Sequence, residues 1–334
     1  MDKTFTAFLL LAISILPLLI YSQDASFTQF YANPLYLNPA LSGSTECGRL
    51  HLNYRNQWPS LDNAFVTYSI AYDQNLPSIN SGFGVMVMND QQGNGSFNRT
   101  MAGGFYSYHL SVSEELSVFF GMKAAFYQES INWSKLIFAD MINPATGKIN
   151  PTGGGETQPD NTSIAVSDFG AGIVVGYSDK MFFGFAADHL SQPQLDFYTK
   201  SDNQLNMKFT THGGLNFNAS NGSMGDMSER DLIIQPNLLY LQQADFKQIN
   251  LGIYVSKAPF ITGAWFRHSF QNADALVVLL GLSHNNFRFG YSYDYTVSQL
   301  AGRSGGAHEL SIAWQFCVYT NQKRVIRTIK SPVF

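Results

Sequence analysis

Phe287-Arg288-Phe289-Gly290-Tyr291-Ser292-Tyr293-Asp294-Tyr295-Thr296-Val297 is the stretch whose reading decides the fold. Every second residue is aromatic or aliphatic, and Arg288, Gly290, Ser292, Asp294 and Thr296 stand between them. A period of two belongs to an extended strand whose successive side chains enter different media. The same alternation recurs outward from here. Ala64, Val66, Tyr68, Ile70 and Tyr72 alternate with Asn63, Thr67, Ser69, Ala71 and Asp73, with Phe65 as the one large exception. Leu276, Val278, Leu280 and Leu282 line one face of another segment, and Ile249, Leu251, Ile253 and Val255 line a further one. Leu310, Ile312, Trp314 and Phe316 close the series against Glu309, Ser311, Ala313 and Gln315.

About fourteen such segments can be read: 47–58, 63–74, 81–90, 97–112, 115–128, 165–177, 180–190, 206–218, 231–242, 246–257, 259–270, 273–284, 286–297 and 307–318. Most exceed the ~5 to 6 residues of ordinary strands and approach the ~9 to 11 that a tilted strand needs to cross a bilayer. The connections supply an independent test. The longest ones, Glu129 to Ile164, Ser191 to Leu205 and Ser298 to Gly306, follow strands five, seven and thirteen, so all three fall at one end of an up-and-down barrel. Ser113-Glu114, Ser178-Asp179, Ala258 and Asn285 are tight turns of the opposite parity, and Ala219 to Arg230 is the longer exception. Long loops at one end and short periplasmic turns at the other are the pattern of outer-membrane barrels.

Composition agrees. The chain has 334 residues, of which 45% are hydrophobic and 13% charged, against the ~25% charged residues of ordinary soluble domains. A mean hydropathy of -0.08, with no apolar run of ~18 residues after the N-terminus, excludes a bundle of membrane helices. The apolar and aromatic content excludes disorder, and a net charge of -4 offers no basic field for nucleic acid. A soluble β-sandwich or propeller would need a charged, solvated second face on each strand. Here that face is Gly, Ser, Thr and Asn with isolated Lys123, Lys208, His212, Arg288, Asp294 and Glu309, which suits a polar lumen or a plug. Trp58, Tyr72, Phe270 and Phe316 near strand ends are expected in interfacial girdles.

Residues 1–22 read as a secretory signal peptide, with Lys3 before an apolar stretch from Phe5 to Leu19 and polar Ser22, Gln23 and Asp24 after it. Residues 23–46 form an N-terminal periplasmic or plug segment, 47–318 an all-β transmembrane barrel, and 319–334 a basic periplasmic tail, with both chain ends expected at the periplasmic side. Within the second segment, Asn33-Pro34 and Asn38-Pro39 start turns and prevent a continuing helix.

Several motifs carry a resemblance. Gln29-Phe30-Tyr31-Ala32-Asn33-Pro34-Leu35-Tyr36-Leu37-Asn38-Pro39-Ala40-Leu41-Ser42-Gly43 and Tyr54-Arg55-Asn56-Gln57-Trp58-Pro59 open the series. The Trp133 region, Asp168-Phe169-Gly170-Ala171-Gly172, His189-Leu190-Ser191-Gln192-Pro193, Phe289 to Tyr295 and Gly306-Ala307-His308-Glu309-Leu310-Ser311 continue it over nearly the whole chain. This set resembles the PorP/SprF family of Bacteroidetes outer-membrane proteins. The resemblance implies a component of the type IX secretion system, associated with gliding motility in species that glide. It also implies partners among periplasmic ring and peptidoglycan-binding parts and a secreted surface adhesin with a C-terminal sorting domain. Many members carry a Cys before a C-terminal Pro-x-Phe; this chain has Ser331-Pro332-Val333-Phe334, so no inference about a cysteine pair inside the tail carries over.

Candidate chemistry is sparse. The seven His residues are scattered through the strands, with no G-x-S-x-G elbow and no H-E-x-x-H pair, so no enzyme, metal or cofactor is expected. Asn89, Asp90, Asn94, Asp160 and Asp168 follow no twelve-residue calcium pattern and read as turn residues. A passive porin is the rival function, although porins usually show charged constrictions. Phe30, Tyr31 and Tyr36 are candidates for partner docking or gating, against a purely structural plug. Lys323, Arg324, Arg327 and Lys330 give the tail +4 with no acidic residue, and Phe334 would be its apolar anchor on a periplasmic partner; lipid phosphates are the alternative target. Cys47 and Cys317 begin the first strand and end the last, which are neighbours in a closed barrel. A seam disulfide and two buried free thiols both fit that placement.

Overall fold

The computed structural model describes residues 24–61, 64–150, 154–198, 203–225, 231–270, 272–297, 302–317 and 329. The expected leader 1–22 and the tail residues Lys323, Arg324, Arg327, Lys330 and Phe334 lie outside the described residues.

The first half of the wall is β1 (Gly48–Gln57), β2 (Phe65–Leu76), β3 (Ser81–Gln92), β4 (Phe97–Ser111), β5 (Leu116–Ile131), β6 (Ser163–Tyr177), β7 (Met181–Asp188) and β8 (Lys208–Leu215). Two short strands, β9 (Phe217–Asn218) and β10 (Ser223–Met224), form a small hairpin after β8. The second half is β11 (Ile233–Gln243), β12 (Phe246–Lys257), β13 (Phe260–Ser269), β14 (Asn272–His284), β15 (Phe287–Thr296) and β16 (Ala307–Phe316). Consecutive wall strands pair antiparallel, β8 pairs with β11, and β1 pairs with β16 from Gly48↔Phe316 to Gln57↔Ala307. The result is a closed barrel of fourteen strands, with each sequence-read boundary met to within three residues. Closure leaves the fourteen-stranded wall no unpaired edge, which is what lets a β-structure cross a lipid core. No helix among the described residues is long and apolar enough to cross a membrane.

The two faces separate as the alternation requires. On β14, Val278 and Leu280 point outward and are 57% and 61% exposed, while Val277 and Leu279 between them are buried in the lumen. On β2, Tyr68 and Ile70 face outward, and Thr67 and Ser69 face inward. The segments between β5 and β6, β7 and β8, and β15 and β16 all lie at one end, here the long-loop end. At the opposite, short-turn end, Tyr72 stacks on Phe316 at 5.9 Å between ring centres and Phe287 on Trp314 at 5.8 Å, part of an aromatic band. Cys47 and Cys317 are disulfide-bonded at this end, with their Cα atoms 4.5 Å apart, one step beyond the Gly48↔Phe316 pair.

Residues 24–46 run inside the barrel. They pass from Asp24 at the long-loop end, through short helical turns at Phe30–Ala32, Pro34–Leu37 and Pro39–Leu41, to the disulfide at the short-turn end. Asp24 and Cys317 therefore lie at opposite ends of the barrel. The physical reason is that the polar inner faces of the strands offer partners to a segment only if it is threaded through the lumen.

Candidate functional site

The lumen and its plug hold the polar chemistry of the molecule. At the long-loop end, the Asp24 carboxylate receives Arg99 Nη1 at 3.0 Å, His189 Nε2 at 2.8 Å and Lys208 Nζ at 3.0 Å. Its backbone N–H donates to Gln243 Oε1 at 3.0 Å. Each cation has a second anion: Glu129 for Arg99, Asp168 for His189 at 2.9 Å, and Asp188 for Lys208 at 3.9 Å. Asp188 also holds Lys123. Lys208 lies over the Tyr36 ring, 4.3 Å from its centre, so a plug aromatic covers the same cation. Burial alone would raise the Asp24 carboxyl, but His189, Lys208 and Arg99 outweigh it and hold the group well below the ordinary carboxylate range. Burial would likewise lower His189, and the Asp24 and Asp168 carboxylates raise it instead.

A second anchor lies at Thr28 and Gln29. Their backbone N–H groups donate to the two oxygens of Glu309 at 2.7 and 3.0 Å, and the Thr28 hydroxyl donates to Asp294 at 2.7 Å. Arg55 bridges Asp294 and Glu309 at 2.9 and 3.1 Å, and Arg267 reaches Asp294 at 2.8 Å. Removing one partner from such a buried set leaves an uncompensated charge, a loss of about 3–5 kcal/mol.

The middle of the plug is held by its asparagines and by shape. Asn38 accepts from Ala40 N–H at 2.9 Å, capping the turn that Pro39 begins, and its Nδ2 donates to the Ile173 and Phe185 carbonyls at 3.2 Å each. Asn33 donates to Ser69 at 3.2 Å. A Cβ on Gly121 would strike the Pro39–Ala40 backbone, and one on Gly82 would strike the Ser42 carbonyl. These glycines let plug and wall backbones touch. At the short-turn end, Gly43 N–H donates to Asp73 at 2.8 Å, and Arg49 clasps the same carboxylate at 2.6 Å.

Phe30 and Tyr31 are buried inside the barrel rather than offered at a surface. Phe30 packs on Trp265, and Tyr31 packs on Phe182 and Tyr254. Tyr36 is half-buried, meets Phe27 edge-on at 5.4 Å and donates to the Ala25 carbonyl at 2.6 Å. The contacts of all three are with wall and plug, because each ring finds its apolar neighbours there. What the sequence reading left unassigned was the pairing itself. Lys123, Lys208, Asp294 and Glu309 read as isolated lumen charges; the barrel closes them into networks with Asp24 and Thr28. The signal that could have found them was the motif set, since Arg55, Asp168, His189, Asp294 and Glu309 each stand inside a quoted motif and each joins an anchor. Among the described residues no cluster of His, Cys, Asp and Glu is arranged to hold a metal ion.

A closed fourteen-stranded antiparallel wall with an apolar outer face and a filled polar lumen defines an outer-membrane β-barrel. Residues 19–314 match the model of the type IX secretion system membrane protein PorP/SprF, and the chain belongs to that family. Among solved structures it is similar to the Ralstonia pickettii toluene transporter TbuX, with a TM-score of 0.52 and 10% identity over 86% of this chain and 94% of that one. It is also similar to the deltaS2S3 mutant of TodX, described as a monoaromatic hydrocarbon channel, with a TM-score of 0.50 and 10% identity over 85% of this chain and 94% of that one. At such identity the likeness concerns the fold alone. No curated protein matches the sequence.

Proposed function

We propose that this type IX secretion component is a non-enzymatic coupler that joins periplasmic parts of the machine to a secreted or surface-anchored client, such as an adhesin with a C-terminal sorting domain, in a gliding or otherwise secreting cell. The observation that carries this reading is the anchored plug: a lumen crossed end to end by residues 24–46 suits a scaffold better than a diffusion pore. The long loops would face the client, the short turns and the basic tail the periplasm, with Lys323, Arg324, Arg327, Lys330 and Phe334 as the docking element. Deleting residues 323–334 is expected to leave an assembled, heat-modifiable barrel while abolishing secretion and co-purification of periplasmic components. Undiminished secretion from a normally assembled truncation would refute the docking role.

A second reading, a small-molecule channel, has one observation in its favour. An apolar cavity lined by Phe27, Phe30, Leu239, Leu241 and Phe246 separates the plug from the wall, beside Lys208 and Gln243. Planar-bilayer recording separates the two: the coupler is expected to be silent, and a large steady conductance would favour the channel.

A further inference from the structure

Ile329 is 4% exposed, and it is buried inside the barrel. It belongs to the apolar core formed by Val174 of β6, Phe182 of β7, Phe119 of β5 and the plug residues Tyr31 and Leu41. Its seat is made by a missing side chain: a Cβ on Gly176 would lie 2.8 to 3.2 Å from three carbons of Ile329. Gly176 is the penultimate residue of β6, so this seat is just inside the short-turn mouth, the end at which Cys317 leaves the wall. The intervening residues 318–328 can span up to about 40 Å when extended, ample for a return from the rim to the mouth.

The rim outside the seat carries the matching charge. The turns after β4 and β6 meet there, with Ser178 N–H donating to the Glu115 carbonyl and Tyr177 Oη donating to the Glu115 carboxylate, each at 2.5 Å. Glu114, Glu115 and Asp179 stand on these two turns, and Lys180, over the Tyr177 ring, is their one cation. The chain around Ile329 has Lys323, Arg324, Arg327 and Lys330 and no acid. Exposed charges of opposite sign contribute little stability singly, but they steer and orient a segment whose apolar anchor does the holding.

We propose that the inner face of β6 and β7 at the short-turn end is a docking groove for this chain's own C-terminal segment, residues 323–334, seated by Ile329 against Gly176. The inference rests on the reading of that segment as a docking element and refines it: the barrel holds the segment in the resting state, and a periplasmic partner must compete for it. Binding such a partner then uncovers the Gly176 seat and the core around Val174 and Phe182, which gives the periplasmic machine a mechanical connection to the lumen.

Limited trypsin digestion of the purified full-length barrel in detergent tests the groove, because trypsin cuts after Lys323, Arg324, Arg327 and Lys330. The segment should be protected in the unaltered protein. Gly176→Leu, which fills the seat, and Ile329→Asp, which removes the anchor, should each speed cleavage after Arg327 and Lys330 by about ten-fold or more, since cleavage tracks the open population. Heat modifiability should not change. Equal cleavage rates in all three proteins would overturn the proposal, as would protection that arises only when anionic lipid vesicles are added. A second measurement avoids dependence on those variants: Gly176→Cys with Ile329→Cys should yield a 176–329 linked peptide by mass spectrometry beside the native Cys47–Cys317 link, and its absence would count against the groove. Both assays omit the secretion machine, so their failure leaves the reading of the tail as a docking element standing, whereas that reading fails on undiminished secretion by the 323–334 deletion.

Discussion

Asp24 sits among Arg99, His189 and Lys208, each of these has a second anion, and Lys123 joins Asp188, so the plug's outer anchor of four carboxylates and four cations is charge-balanced only when His189 carries its proton. The direction of each shift fixes the pH behaviour. His189 is raised in the folded state, so its contribution is complete below its unfolded value of about 6.5 and is lost as pH rises through the folded value. Asp24 is lowered, so its contribution is complete above about 3.9 and is lost as pH falls through the folded value. The anchor is therefore strongest between about pH 4 and 6.5. Following the heat-modification midpoint across pH should show stability declining on the alkaline side of that window. Asp24→Asn should lower the midpoint throughout, by the equivalent of about 3–5 kcal/mol for a broken buried network, and should flatten the alkaline decline. An unchanged alkaline limb in the variant would assign the pH dependence elsewhere.

At the scale of elements, the plug and the wall are built to one another's shape. Wall strands β3 and β5 place Gly82 and Gly121 where the plug backbone passes, and Asn38 spans from the plug to carbonyls of β6 and β7. Gly104, on the outer face of β4, has nothing near its Cβ position and makes the control. Gly121→Val should destabilise the barrel by about 3 kcal/mol, the upper part of the usual range for overpacking, because a backbone rather than a flexible side chain must move. Gly104→Val should leave the thermal midpoint within experimental scatter. Equal shifts for the two variants would mean that the plug yields freely and does not brace the wall. The Asn33-Pro34 and Asn38-Pro39 pairs were legible as turns, and both begin helical turns in the lumen. Their route was not legible, since a turn signal specifies local backbone shape and carries no information about what lies beside it.

For the whole molecule, closure is what brings distant residues together. Arg55 and Glu309 are 254 positions apart in sequence, yet they meet because β1 and β16 are neighbours across the seam. The disulfide lies at the foot of the same seam. Cys47→Ser should lower the unfolding midpoint by the equivalent of about 2–4 kcal/mol while a heat-modifiable band persists, because ten residue pairs of β1 and β16 still close the wall. Loss of the folded band would show that the ladder alone does not hold the seam. The gathering of the long loops at one end predicts that an epitope beside Gly154, which is exposed, is reached by antibody on intact cells; labelling only after permeabilisation would invert the barrel.

The sequence by itself determined the strand number, the parity of the loops and the assignment of faces. These are properties of neighbours along the chain: alternation at residues 276–282 or 287–297 is set by the medium on each side of a strand, whatever else the barrel contains. It also marked Lys123, Lys208, Asp294 and Glu309 as inward charges. The tertiary structure alone decided their partners, the passage of residues 24–46 from one end of the lumen to the other, and the burial of Phe30, Tyr31 and Ile329. The reason is that a buried charge or ring is satisfied by whatever closure places opposite it. In a fourteen-stranded barrel those partners come from strands tens to hundreds of residues away, at a register that only the complete ladder sets.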